Sequence, residues 1–193
     1  MKRLLIIFLL FNLGGCASTL KDKVVFEHHD NTVKVDNLNM QATLADNYTF
    51  VRDVAFDGYR AYSNTPGGET NRFKEAIYKD NNSNNFIVFM KKSCTNCFFT
   101  PESISTNSID SIKVDNNRYY LRNTKFELQS GSNGGVLANV VFDSMKGAKK
   151  TQSFCGQKYT TINYNHLYNI MEFSPCGQQD VGIKNVVSFS KLN

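Results

Sequence analysis

The second half of the chain alternates short β-type runs with turn clusters, and that rhythm constrains the fold more than any other feature. Ile109 to Val114 is one such run, and it ends at Asp115-Asn116-Asn117. Asn and Asp tolerate the left-handed backbone of tight turns. Arg118 to Leu128 follows, rich in Tyr, Leu and Phe, and Gly131 to Gly135 breaks the chain again. Val136 to Phe142 is a further apolar run with β-branched members. Tyr159 to Phe173 fits two periods. Its even positions alternate like a strand, while Leu167, Ile170 and Met171 would line a short helix. Val186 to Phe189 reads as a closing strand. Short runs separated by turn signals in this way are the mark of an antiparallel sheet.

The first half is more mixed. Val24, Val25 and Phe26 form the apolar part of a strand over Lys23 to His28. Tyr48, Phe50, Val54 and Phe56 share one face at period two, which predicts a half-buried strand. Asn64-Thr65-Pro66-Gly67-Gly68 is a turn or loop. Phe73, Ala76 and Ile77 fall at spacings of three and four, which predicts a helix over Glu69 to Lys79. Phe86 to Met90 is a continuous apolar run of strand length. The expected order here is strand, helix, strand. Taken whole, the chain is expected to be α+β and mainly β: an antiparallel sheet with one or two short helices, stapled by disulfides. No internal repeat or long linker divides it.

The amino terminus reads as a leader. Met1-Lys2-Arg3 is basic, Leu4 to Phe11 carries no polar residue, and Leu13-Gly14-Gly15-Cys16 follows. A basic start, a short apolar run and small residues before a cut form a secretory signal. The run is far shorter than the roughly 20 apolar residues that span a bilayer. Leu13-Gly14-Gly15-Cys16 resembles the lipobox of bacterial lipoproteins. The resemblance covers the first sixteen residues. It implies a signal peptide over 1–15, cleavage before Cys16, and acylation of Cys16 on sulfur and amine. More than one acyl chain makes a lasting membrane anchor. Ala17 and Ser18, with no Asp beside Cys16, imply the outer membrane by analogy with enterobacterial lipoproteins, with the domain facing the periplasm. Residues 16–22 are then a lipidated tether and 23–193 a single envelope domain.

Charge narrows the partners. The chain has 22 basic and 17 acidic residues, and Lys2 and Arg3 belong to the leader. The remaining excess of three is too small to argue for nucleic acid. Expected partners are the membrane, through the anchor, and an envelope protein.

Four cysteines follow Cys16: Cys94, Cys97, Cys155 and Cys176. An even number in an exported domain implies disulfides, and three pairings are open. Ser153-Phe154-Cys155-Gly156-Gln157 is echoed by Ser174-Pro175-Cys176-Gly177-Gln178. The echo suggests similar turns, so Cys155–Cys176 is the preferred pair, leaving Cys94 with Cys97. Cys94-Thr95-Asn96-Cys97 is also the sharpest chemical motif. It resembles the redox Cys-x-x-Cys of thioredoxin-like proteins, which likewise follows a strand, and the resemblance covers about a dozen residues. It implies a reactive, acidified thiol at Cys94. The chain departs from that family in the Ser-, Thr- and Asn-rich stretch after Pro101 and in lacking the family's facing cis-proline. A four-cysteine zinc site lacks its second close pair. Haem attachment lacks its histidine, since Phe98 stands there.

Other groups carry weaker signals. In Glu27-His28-His29-Asp30, neighbouring histidines on a strand point to opposite faces and do not share an ion. Asp53, Asp57, Tyr59, Arg60 and Tyr62 combine charge and aromatics as an exposed binding surface would. Lys146-Gly147-Ala148-Lys149-Lys150 suits anionic lipid or peptidoglycan acids, or plain solvent. Asn81-Asn82-Ser83-Asn84-Asn85 reads as a solvated connection. No catalytic residue, metal site or cofactor is assigned, and the chain has no P-loop or dinucleotide fingerprint. The expected function is a non-catalytic binding, assembly-support or accessory lipoprotein. The alternatives are a periplasmic thiol–disulfide protein using Cys94 and Cys97, and an envelope inhibitor or exclusion factor.

Overall fold

The computed structural model describes residues 25–61, 66–94, 99–131, 135–145, 151–178 and 182–192. The expected signal peptide over 1–15, Cys16 and the tether over 16–22 lie outside the described residues, as do Cys97 and the basic stretch 146–150. Among the described residues, no helix is long and apolar enough to cross a membrane.

Three short strands open the fold: β1 (Glu27–His29), β2 (Thr32–Val35) and β3 (Met40–Leu44). Two long strands follow, β4 (Tyr48–Ala61) and β5 (Gly68–Asp80), and then β6 (Phe86–Cys94). A helical turn, α1 (Pro101–Ser105), leads to the hairpin of β7 (Asp110–Val114) and β8 (Asn117–Gln129). Helix α2 (Val136–Ser144) precedes a second hairpin, β9 (Thr151–Asn163) and β10 (His166–Pro175). Helix α3 (Ile183–Val186) and β11 (Val187–Lys191) close the chain. Strands β4-β5-β6-β10-β9-β8-β7 make a seven-stranded sheet, and β1-β2-β3-β11 make a four-stranded one. Neighbouring strands pair antiparallel throughout. Among the described residues the chain is therefore mainly β with three short helices, the fold class its residues imply.

The layers follow from which side chains alternate. One core lies between the two sheets. Val33, Val35, Met40, Ala42 and Leu44 of the small sheet meet Ala76, Tyr78, Ile87, Phe89, Tyr119, Tyr159 and Ile170 of the large one. The second core lies on the opposite face of the large sheet, where Ala138, Val141, Phe142 and Met145 of the α2 region cover Ile77, Phe86, Val88, Phe154 and Phe173. Adjacent residues of β6 thus serve opposite cores, as a pleated strand requires. Phe154 sits among rings: its centroid is 5.5 Å from Phe173, 5.9 Å from Phe126 and 6.3 Å from Phe142.

Two expectations are corrected. Glu69 to Lys79 is not a helix but most of β5. Its spacings of three and four arise because the inner end of β5 is covered on both faces, so that Glu75, Ala76, Ile77 and Tyr78 are all buried. The order strand, helix, strand in the first half is accordingly strand, strand, strand. Val136 to Phe142 is not a strand but α2, whose β-branched residues form a helix because they roof the Phe86, Phe154 and Phe173 cluster. The ambiguous stretch Tyr159 to Phe173 is the β9–β10 hairpin, with Tyr164 and Asn165 as its turn.

Turn chemistry matches the hairpins. Asp30, Asn39 and Asp115 take positive φ of 51°, 48° and 52°. Short polar side chains enter that region most readily. Asp115 also accepts from Asn39 Nδ2 at 3.0 Å and pairs with Lys191 at 3.0 Å, fastening the β7–β8 turn to the small sheet.

Candidate functional site

The small sheet covers only part of the large sheet's face. Beyond it, the outer halves of β5 and β6 carry polar residues on the same alternating positions that are apolar further in. On β5 the series runs Tyr78, Ala76, Lys74, Arg72, Thr70. On β6 it runs Ile87, Phe89, Lys91, Ser93. Pairing register brings these together. Lys74 lies directly opposite Lys91, and Arg72 opposite Ser93. Ser93 is in turn opposite His166 of β10, and Arg72 opposite Asp57 of β4.

The result is a cleft of about 370 Å³ lined by Asp57, Arg72, Lys74, Lys91, Ser93 and His166, with Val25 and Asn37 as a wall from the N-terminal layer. Two adjoining depressions share Lys74 with it, one of about 240 Å³ reaching Asp53 and Phe26, and one reaching Phe56. Together they form one groove across β4, β5, β6 and β10. Clefts of this size hold small molecules or a short polymer segment.

The groove's inner end is positive. Arg72, Lys74 and Lys91 outnumber Asp57, which pairs with Arg72 Nε at 3.2 Å with both side chains more than half exposed. Burial first, and then the charge of Lys91, pulls His166 below the usual histidine range. The His166 Nδ1 atom is buried without a hydrogen-bond partner. Lys91 Nζ stands 5.9 Å from the Tyr168 ring centroid. At the tip of the hairpin that delivers His166, Tyr164 is 91% exposed with φ of 55°. A bulky residue in that region is strained, and such strain gathers at functional sites.

The outer end is differently built. His28 on β1 lies 4.3 Å from the Phe50 ring, centroid to centroid, and Nε2 donates to Asp53 at 3.0 Å. The Tyr78 hydroxyl is hydrogen-bonded to Nδ1. A carboxylate only accepts, which fixes the hydrogen on Nε2. His29 is exposed on the opposite side of β1. The Glu27–Asp30 segment is therefore a strand end that packs on β4. Among the described residues, no group of three or more His, Cys, Asp or Glu is placed to hold a metal.

Cys155 and Cys176 are joined, with Cα atoms 4.9 Å apart. The bond closes the open end of the β9–β10 hairpin, where Cys155 faces Ser174 and Cys176 N donates to Ser153 O at 2.9 Å. Cys94, buried at the end of β6 and lining the cleft, is also disulfide-bonded. Its partner lies outside the described residues. On the β4 surface, Tyr59 is 68% exposed and Asp53 and Asp57 face the groove, while Tyr62 and the side chain of Arg60 lie outside what is described. Asp80 organises the Asn-rich turn, accepting from Asn82 N at 2.8 Å and from Ser83 Oγ.

The residues that make the groove, Arg72, Lys74, Lys91 and Ser93, do not stand out in the sequence. The one local signal is the period-two polar series Thr70-x-Arg72-x-Lys74 and Lys91-x-Ser93. No known family model, no curated protein and no solved structure matches the chain.

Proposed function

We propose that this chain is a cell-envelope lipoprotein, anchored through Cys16 in the outer membrane and facing the periplasm, that works by binding rather than by catalysis. The observation that carries the reading is the groove. It converges Arg72, Lys74, Lys91, Ser93 and His166 from three strands onto one recess, beside a wall formed by Val25 and Asn37. Groups aimed at one recess from rigid strands suit recognition, since little is lost in ordering them when a ligand arrives. The leader supports the anchor, because a basic start, a short apolar run and Leu13-Gly14-Gly15-Cys16 belong to exported, acylated chains. The reading is tested by feeding expressing cells a clickable fatty acid and fractionating their membranes. Label in the outer-membrane fraction that disappears in Cys16→Ser supports it; an unlabelled, fully soluble wild-type chain overturns it.

A thiol–disulfide role for Cys94 and Cys97 is the second reading, favoured by the placement of the bonded Cys94 in a cleft rich in cations. Positive neighbours stabilise a thiolate. Acid-quenched alkylation of the chain in its native envelope separates the two. Full oxidation that resists mild reductant leaves binding as the role, and mixed disulfides at Cys94 or Cys97 would make the motif an active site.

A further inference from the structure

We infer that the groove is a site for an oxyanionic ligand bearing at least two negatively charged groups, held between Arg72, Lys74, Lys91 and His166. The inference rests on the binding role proposed above and names its chemistry.

The spacing of the donors sets the ligand's shape. Arg72 and Lys74 are two residues apart on one strand, so at about 3.4 Å per residue their stems stand roughly 7 Å apart. Lys91 is on the next strand and His166 on the one beyond. At about 4.8 Å between strands, the donors frame an area of roughly 7 by 10 Å. One phosphate or carboxylate is too small to reach across it, whereas two anionic groups on a short spacer match it. Lys74 and Lys91 stand directly opposite each other on paired strands and set two cationic side chains side by side along the cleft. Arg72 offers a planar fork suited to carboxylate or phosphate. Ser93 stands between Arg72 and His166 with a hydroxyl that donates to an oxyanion. His166 lines the same recess, and its Nδ1 atom is buried without a hydrogen-bond partner. Its basicity is lowered by burial and then by Lys91, and an anion in the recess offsets the Lys91 contribution. At the outer end, Asp53 repels a ligand that extends too far along β4, while Asp57, inside the cleft, is offset by its pairing with Arg72.

The test uses the full chain purified in detergent, titrated calorimetrically with citrate and with pyrophosphate at about 0.15 M ionic strength, where exposed charges are largely screened. One probe carries carboxylates and the other phosphates. Saturable binding of either supports the inference, and the tighter of the two identifies the anion. Lys74→Ala, Lys91→Ala and Arg72→Ala are each expected to weaken binding about tenfold, the usual loss for a charged hydrogen bond. Lys125→Ala, on an exposed position of β8, leaves it unchanged. All four positions are at the surface, and unchanged thermal melting verifies the fold. Binding of neither probe, or equal binding by wild type and the three groove variants, overturns the inference. Anchorage is read separately: a Cys16→Ser chain that loses the membrane but still binds the probe keeps the two questions apart.

Discussion

Removing the Cys155–Cys176 bond has a calculable cost. The two residues are 21 apart in sequence. Closing a loop of that length in the unfolded chain removes entropy equivalent to about 3 kcal/mol in the chain-entropy model. The folded hairpin keeps its ladder without the bond, because β10 is paired with β9 from His166 to Pro175 and with β6 from His166 to Phe173. The whole effect is therefore expected to act through the unfolded state. A Cys155→Ser, Cys176→Ser double variant should keep the wild-type circular dichroism spectrum. Its midpoint should fall by roughly 6–12 °C, taking about 2–4 °C per kcal/mol for a chain of this size. Urea titration at 25 °C gives the free energy directly, with the slope reporting any change in the unfolded ensemble. A loss under about 1 kcal/mol would refute the entropy argument for this loop. Loss of the fold itself would refute the claim that the ladder holds the hairpin unaided.

Three other outcomes follow from single side chains. A Cβ added at Gly156 would lie 2.0 Å from Glu172 O and 2.6 Å from Phe173 Cα, both backbone atoms of β10; Gly156→Ala should force the β9–β10 pairing apart, cost at least about 3 kcal/mol, and melt far below wild type. Glu75 is buried in β5, and burial pushes its carboxyl up to about 7 from 4.5. Between those values the folded state holds a proton the unfolded chain has shed, so stability falls as pH rises through that window; Glu75→Gln should match wild type near pH 4 and exceed it by up to about 3 kcal/mol at pH 8, as read by urea titration at both pH values. Tyr164 holds φ of 55° at an exposed hairpin tip; Tyr164→Asn should raise stability by about 1 kcal/mol, because Asn enters that conformation more readily, while weakening any ligand that uses the rim beside His166.

How much of this was legible in the residues depends on what each signal reports. The hairpin turn at Asp115-Asn116, the strand from Tyr48 and the closing strand near Phe189 were readable because local turn chemistry and period-two alternation set them. The Cys155–Cys176 pair was readable from the repeated Cys-Gly-Gln. Strand β5 was not, because burial on both faces at Glu75–Tyr78 erases alternation, and charged residues occupy both faces further out. Helix α2 was not, because its Val-rich composition favours a strand, and only packing on Phe154 and Phe173 makes it helical. The groove was the least legible part. Arg72, Ser93 and His166 lie in three separate strands, and only the pairing register places them in one row.

The most direct measurement of the central claim is a residue-resolved one. The isotope-labelled full chain in detergent micelles would be titrated with citrate and pyrophosphate, following backbone amide shifts by NMR. The account predicts saturating shifts concentrated at 70–74, 91–93 and 166–168, with the His166 ring moving toward its protonated form. Shifts spread over the surface, or centred on β7 and β8, would contradict it and place the function elsewhere on the molecule.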